Sequence, residues 1–243
     1  MESIVRTKQL VKIYGENETE VVALNKIDIE FIKGQFTAIM GPSGSGKSTL
    51  LHCLAGLDSP TSGSIYINNT DLSQLNDKQL TKLRRDSFGF VFQAFNLIPT
   101  LTAAENISLP SSIAGKRPEE DWLGKIIETL DLGDRLNHRP NELSGGQQQR
   151  VAVGRALASK PEVIFADEPT GNLDSISSEE LLTFLKMIVR ELNQTIIMVT
   201  HNPVAASYAD RVIFLRDGSI FNDLNEPSKE QIIETVSDIS SKG

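Results

Sequence analysis

Gly41-Pro42-Ser43-Gly44-Ser45-Gly46-Lys47-Ser48 follows the apolar run Phe36–Met40 without interruption. An apolar run leading into G-x-x-x-x-G-K-S predicts a strand, a tight loop and a helix that opens near Lys47. Glycines admit positive φ and leave no side chain between the backbone N–H groups and an anion. The helix start brings its positive end to the same place. Lys47 adds a mobile charge for the outer phosphates, and Ser48 a hydroxyl for magnesium. The stretch reads as a triphosphate cradle whose candidate contacts are Gly41, Ser43, Gly44, Ser45, Gly46, Lys47, Ser48 and Thr49. The motif alone does not separate kinase, GTPase, motor and transporter.

The 243 residues are enough for one large domain, or one domain with a subdomain. A net charge of −8, from 24 Lys+Arg against 32 Asp+Glu, carries no nucleic-acid footprint. Cys53 is the single cysteine, so no intramolecular disulfide is possible and a reducing compartment fits. Residues 1–9 lack the apolar core of a signal peptide, and no apolar run approaches bilayer-spanning length. A soluble, cytoplasmic chain is the expectation.

Taken in order, residues 4–14 and 21–31 predict two strands around a polar loop, with Lys33-Gly34 as the turn into the strand before the phosphate loop. Tyr14 ends the first of them, where an aromatic face could stack on a base; taken alone, a strand-end tyrosine more often covers core. Residues 48–57 predict a helix, 64–68 a short strand, 76–85 a surface helix and 88–92 a strand with Gln93 at its end. From 102 to about 160 the pattern is helical, over 103–109, 119–130 and 147–159, with breaks expected at Pro110, Pro118, Gly133 and Pro140. Residues 161–165 and 195–200 predict buried strands around a long amphipathic helix at 177–192. A hairpin through Asp217-Gly218 follows, and 222–243 reads as a polar tail with one weak helix at 231–236.

Two further clusters bear on the chemistry. Val163-Ile164-Phe165-Ala166-Asp167-Glu168 is an apolar strand ending in two carboxylates, suited to holding magnesium through Asp167 and to orienting or deprotonating a water through Glu168. Leu143-Ser144-Gly145-Gly146-Gln147 opens a helix, and Ser144 with the glycines exposes backbone N–H groups there. An ordinary serine cap would look the same. One nucleotide does not need two cradles, so the second makes sense if it completes the site of a partner molecule.

Together with Gly41 to Ser48, the strand ending in Asp167 and Glu168, and His201 after Val199-Thr200, this pentapeptide resembles the nucleotide-binding subunit of ATP-binding-cassette (ABC) transporters. The resemblance runs to about Phe221, with the motifs in the family's order and spacing. It implies an α/β fold: a P-loop NTPase (RecA-like) core over 1–92 and 161–221, with an antiparallel β subdomain and an inserted helical subdomain at about 93–160. It implies ATP and Mg2+ as ligands and ATP hydrolysis as the activity. Tyr14 falls where the family stacks adenine, Gln93 where it senses magnesium and the γ-phosphate, Asp174 in the loop that crosses the dimer interface, and His201 where a histidine contacts the γ-phosphate. Glu168, His201 and Gln93 are then the catalytic candidates, Ser48, Gln93 and Asp167 the metal ligands, and Tyr14, Ser144, Gly145, Gly146, Gln147 and Asp174 further nucleotide contacts. The resemblance further implies that two copies pair head to tail around two ATP molecules, at the inner face of the cell membrane, on an integral membrane permease, with a periplasmic or extracellular adaptor as an accessory partner and no nucleic acid.

Gln93-Ala94-Phe95-Asn96-Leu97-Ile98-Pro99-Thr100 and Asp167 to Asp174 look like the MacB and LolD branch, which covers macrolide and peptide efflux, lipoprotein release and antimicrobial-peptide resistance. Thr170-Gly171-Asn172-Leu173-Asp174 is shared with a cell-division ATPase that regulates a membrane protein and transports nothing. Members acting in translation or DNA repair usually carry two cassettes or long coiled coils, which this chain lacks, and a metabolic kinase would lack 143–147. Gly154 departs from the family pattern, where alanine is more usual.

Overall fold

The computed structural model describes residues 2–117 and 119–241. Its organising element is a six-stranded sheet in the order β10-β9-β3-β8-β7-β6. These strands are β3 (Phe36–Met40), β6 (Phe88–Phe92), β7 (Val163–Asp167), β8 (Thr195–Val199), β9 (Arg211–Arg216) and β10 (Ser219–Asn225). All pairs are parallel except β9 with β10. Every residue of β3 and β8 is buried, as expected of strands covered on both faces. Because the strands are parallel, the loops after β3, β6, β7 and β8 leave from the same edge, where α/β sheets place ligands.

A second, antiparallel sheet has the order β2-β1-β4-β5, from β1 (Ser3–Tyr14), β2 (Val21–Ile32), β4 (Ser62–Ile67) and β5 (Thr70–Asp71). Helix α1 (Lys47–Leu54) lies between the two sheets. Its Leu50, Leu51, Cys53 and Leu54 share one core with Val5, Leu10 and Phe31 of the antiparallel sheet and Ile39, Phe165 and Ile197 of the parallel one. The phosphate loop is thus anchored by a helix clamped on both sides. Cys53 is fully buried there, and burial pushes its thiol up to about 12.

The opposite face of the large sheet is covered by α3 (Ala103–Ile113), α4 (Glu120–Thr129), α5 (Gly145–Leu157) and α6 (Ser175–Leu192), which bury Ile107, Ile126, Val151, Val153, Leu185 and Ile188 in a second core. Helix α2 (Asp77–Ser87) has no buried residue and lies on the surface, as its charges predict. Among the described residues no helix is long and apolar enough to cross a membrane.

Three sequence expectations need correction. Pro110 does not end its helix: α3 runs on to Ile113. A proline gives up its own donor bond and its ring crowds the carbonyl four residues back, yet the Pro110 carbonyl still accepts from Ala114 N at 3.0 Å and the helix continues. Buried Ile107 and Ser111 hold both sides of the proline in place. The helix expected at 147–159 opens two residues earlier, which puts Gly145 and Gly146 in its first turn. The polar tail at 222–243 is not a tail. Residues 222–225 finish β10, and α8 (Lys229–Ser241) places Ile232 and Ile239 in the helical-side core. Two isoleucines seven residues apart lie on one helical face, a signal that the surrounding polar residues diluted. The break expected at Pro118 lies outside the described residues.

Candidate functional site

The loop after β3 bends as a glycine-rich turn must. Gly41, Gly44 and Gly46 have φ of 152°, 79° and 98°. A Cβ on Gly46 would stand 2.3 Å from the Ala23 carbonyl, and one on Gly41 2.2 Å from that of Leu215. Nothing lies near Gly44 or its missing side chain, so the loop's outer rim, with exposed Ser43, is open. Ser45 is 2 % exposed, and its Oγ is buried without a hydrogen-bond partner. A buried unpaired hydroxyl is costly unless a ligand satisfies it.

Gly46 caps α1 in a left-handed conformation, and Lys47 and Ser48 open the helix. Lys47 Nζ donates to the Pro42 carbonyl at 2.8 Å, folding the ammonium over the loop. Ser48 Oγ donates to Asp167 Oδ1 at 3.3 Å across 119 residues of chain. Register explains the meeting: Asp167 pairs with Val199, Val199 with Ile39, and Thr200 N donates to the Ile39 carbonyl at 3.1 Å.

Burial lowers the Lys47 ammonium against the opposing pull of Glu168 and Asp167. Burial also raises the Asp167 carboxyl, with Glu168 adding to the effect while His52, Ser48 and Lys47 oppose it. The anion needs a cation and the cation an anion, so a triphosphate with a divalent metal fits this donor set. Among the described residues no three His, Cys, Asp or Glu side chains could hold a metal by themselves. Magnesium here would rely on Ser48, Asp167, phosphate oxygens and water.

Glu168 sits at φ 47°, a left-handed conformation rare for a side chain of its size, and is fixed by hydrogen bonds from its N–H to Val199 O and from Gly171 N to its carbonyl. The turn aims its carboxylate at His201, whose Nδ1 lies 2.9 Å from Oε1. An open cleft of about 510 Å³ beside the pair is lined also by Thr170, Leu173 and Tyr208. Gln93 ends β6 at the same edge. Its Nε2 donates to Asn172 Oδ1 at 3.2 Å, and Asn172 Nδ2 donates to the Gln93 carbonyl at 3.0 Å.

The Ser144 segment is a cap built by its own side chains. Ser144 Oγ accepts from Gln147 N at 3.2 Å, and Gln147 Oε1 accepts from Ser144 N at 2.9 Å, a capping box. Gly145 and Gly146 fill the first turn of α5, Ser144 is exposed, and the hydrogen bond of its hydroxyl is to Gln147 N of its own cap. Asp174 caps α6 in the same way, accepting from Ser177 N at 2.9 Å and from Ser177 Oγ at 2.8 Å; the backbone bonds from Ser177 hold its carboxyl below the usual range. The structure therefore gathers Gly41 to Thr49, Asp167, Glu168 and His201 at the sheet edge, places Gln93 on the same edge, and sets Ser144 to Gln147 and Asp174 at the starts of two helices packed on one another.

Tyr14 ends β1 and is 42 % exposed; its hydroxyl donates to Asp58 Oδ2 at 2.6 Å. Sequence reasoning missed its neighbours Lys12 and Asp58, together with Asn172 and His52. His52 Nε2 lies 3.6 Å from Asp167 Oδ2. The signal for it was present: His52 is one turn beyond Ser48 on the same helical face.

Comparison with known proteins gives one answer. The family described as "ABC transporter" matches residues 24–171. An uncharacterized ABC transporter ATP-binding protein, MJ1508 of Methanocaldococcus jannaschii, is 48 % identical over 225 residues, covering 92 % of this chain and all of that one. The macrolide export ATP-binding/permease protein MacB of Marinobacter nauticus is 46 % identical over 96 % of this chain, which spans 36 % of that protein. A dimeric structure of a post-hydrolysis state of the ATP-binding cassette MJ0796 (Methanocaldococcus jannaschii), bound to ADP and Pi, superposes with a TM-score of 0.81 at 43 % identity, covering 92 % of this chain and 99 % of that one. The chain belongs to the ABC transporter family, as one of its ATP-binding cassettes, an ATPase of the P-loop NTPase fold.

Proposed function

We propose that the chain powers a membrane permease lying outside these 243 residues, by pairing head to tail with a second copy around two ATP molecules. The observation that carries this is the separation of the two anion-binding helix starts. Lys47 and Ser48 have Asp167 and Glu168 beside them, whereas Ser144, Gly145 and Gly146 open a helix whose N–H groups no carboxylate or loop of the same chain meets in the described contacts. A relative that is dimeric and bound to ADP and Pi supports pairing of two cassettes with nucleotide present. We read one cassette with core 1–92 and 161–221 and a helical subdomain at 93–160, closed off by α8.

Gly41 to Thr49 would wrap the triphosphate, with Ser45 Oγ gaining the partner it lacks, and the exposed Tyr14 would meet the base. Ser48 and Asp167 would hold magnesium, with Gln93 at its rim; bound there, magnesium neutralises charge on the outer phosphates. Glu168 orients a water against the γ-phosphorus and accepts its proton as the new P–O bond forms and the bond to the bridging oxygen breaks, giving ADP and phosphate. His201 holds the Glu168 carboxylate through Nδ1, at the sheet edge where its contact with the γ-phosphate is proposed. Loss of the γ-phosphate removes the bridge to the partner's Ser144 segment, and the pair opens.

Coupling to the permease runs through Gln93 and the following segment. Arg155 of α5 donates to the carbonyls of Phe95, at 2.9 Å, and Asn96. Gln149 of the same helix donates to the Pro169 carbonyl at 2.8 Å. A groove of about 460 Å³ beside them, lined by Phe90, Phe92, Leu109, Ile113 and Arg84, is the proposed seat of the permease, with Ile113 73 % exposed. Relatives named for macrolide export support export as the direction; we read the cargo as macrolides or antimicrobial peptides and place the complex at the inner face of the membrane, with a periplasmic or extracellular adaptor as a further partner. The test is phosphate release by Glu168→Gln, expected to fall by at least about a hundredfold while ATP still binds; unchanged turnover would remove Glu168 from the mechanism.

A further inference from the structure

The Tyr14 hydroxyl meets Thr49 of the cradle, and the residue is gripped besides by two side chains that hydrolysis does not use. Its hydroxyl donates to Asp58 Oδ2 at 2.6 Å. Lys12 Nζ stands over the ring, 4.7 Å from its centroid, and the same Nζ donates to Asp58 Oδ1 at 2.6 Å and to the Ser59 carbonyl at 2.7 Å. Lys12 reaches the Tyr14 ring two residues along β1, across an irregularity in the strand's register between Lys12 and Ile13. Asp58 is fixed in the turn after α1, where its N–H donates to the His52 carbonyl at 3.2 Å.

The three groups form a closed triangle. The hydroxyl bond pins the far end of the ring, and an edge-pinned ring can still rotate about its long axis. A cation on one face stops that rotation and adds its own attraction to the ring. The Lys12 side chain is only 12 % exposed, so most of its length is packed behind a surface tyrosine. A tyrosine that merely covered core would need neither partner. The triangle stands beside the cradle, since Thr49, next to Ser48 in the first turn of α1, meets the Tyr14 hydroxyl.

We propose that Lys12 and Asp58 are positioning residues that hold the Tyr14 ring as a preformed platform, with Lys12 behind it and the opposite face free for the base of the nucleotide. The proposal rests on the reading of Tyr14 as the base-stacking residue. A preorganised ring loses less freedom on stacking, so the brace strengthens binding of the base and leaves binding of the triphosphate alone.

The test uses the full chain carrying Glu168→Gln, to prevent turnover, and calorimetric titration with ATP and with inorganic tripolyphosphate, both with magnesium. Asp58→Ala is expected to weaken ATP about fivefold while tripolyphosphate changes by less than about twofold. Asp58→Asn, whose amide oxygen still accepts from the tyrosine hydroxyl, recovers part of the loss, and Tyr14→Ala sets the full size of the base contribution. If Asp58→Ala binds ATP as tightly as the parent while Tyr14→Ala does not, the brace is overturned and the stacking role stands. If Asp58→Ala weakens both ligands equally, it acts on the cradle and the proposal is likewise overturned. If Tyr14→Ala leaves ATP binding unchanged, the stacking reading fails and the brace with it.

Discussion

Gly46 carries two constraints at once, a φ of 98° and a site for a Cβ only 2.3 Å from a backbone carbonyl. Alanine there must strain the loop and displace β2, so Gly46→Ala is expected to cost about 1–3 kcal/mol and to abolish ATP binding. Thermal melting and calorimetry on the same sample would check both. Asp58 gives a pH prediction. Burial works against its ionisation, yet the hydrogen bonds from Lys12 and Tyr14 hold its carboxyl below the ordinary value. A lowered native value means that its stabilisation is complete above the unfolded carboxylate range, near pH ~4, and is lost as pH falls through the native one. In an acid titration followed by circular dichroism, Asp58→Asn should therefore lose less stability below pH ~4 than the parent does. Residue identity made the phosphate loop and the Asp167-Glu168 pair legible in sequence, because glycine, lysine and carboxylate have few substitutes in those roles. Lys12, Asp58 and Asn172 were not legible. Each acts through a partner tens of residues away, and only strand register and the turn after α1 bring the pairs together.

Among the elements, α5 has both a cap and a packing constraint. Losing the Ser144 hydroxyl removes half of a capping box, so Ser144→Ala should cost about 1 kcal/mol. The same change should weaken ATP-driven pairing, since the proposal sets this turn against the partner's phosphate. Comparing Tm without nucleotide and dimer affinity with it separates the two effects. Gly154, further along α5, would place a Cβ 3.2 Å from Ile107 Cγ1 and 3.3 Å from Leu130 Cδ1. Glycine is a poor helix former, and here it lets α3 and α4 approach. Helix α8 corrects the sequence reading most. Ile232 is fully buried in the core, so Ile232→Ala should cost about 2–5 kcal/mol, visible as a lowered chemical-denaturation midpoint. A polar tail would show no effect. The strands were legible because buried parallel strands are unbroken apolar runs; α8 was not, because the two isoleucines and the threonine it buries are scattered among polar and charged residues.

For the molecule as a whole, the parallel sheet brings the loops after β3, β6, β7 and β8 to one edge, and α5 and α6 start at Ser144 and Asp174, packed on each other. The arrangement has a nucleotide cradle and a separate helix start, and two copies turned against each other would satisfy both at once. This closure is the central claim, and light scattering on Glu168→Gln tests it most directly. With ATP and magnesium the mass should double and the dimer should persist, while with ADP or without nucleotide the chain should stay monomeric; adding Ser144→Arg, which fills the space for the partner's phosphate, should restore the monomer. A chain that binds ATP at saturation and remains monomeric, or one that is equally dimeric without nucleotide, would contradict the account.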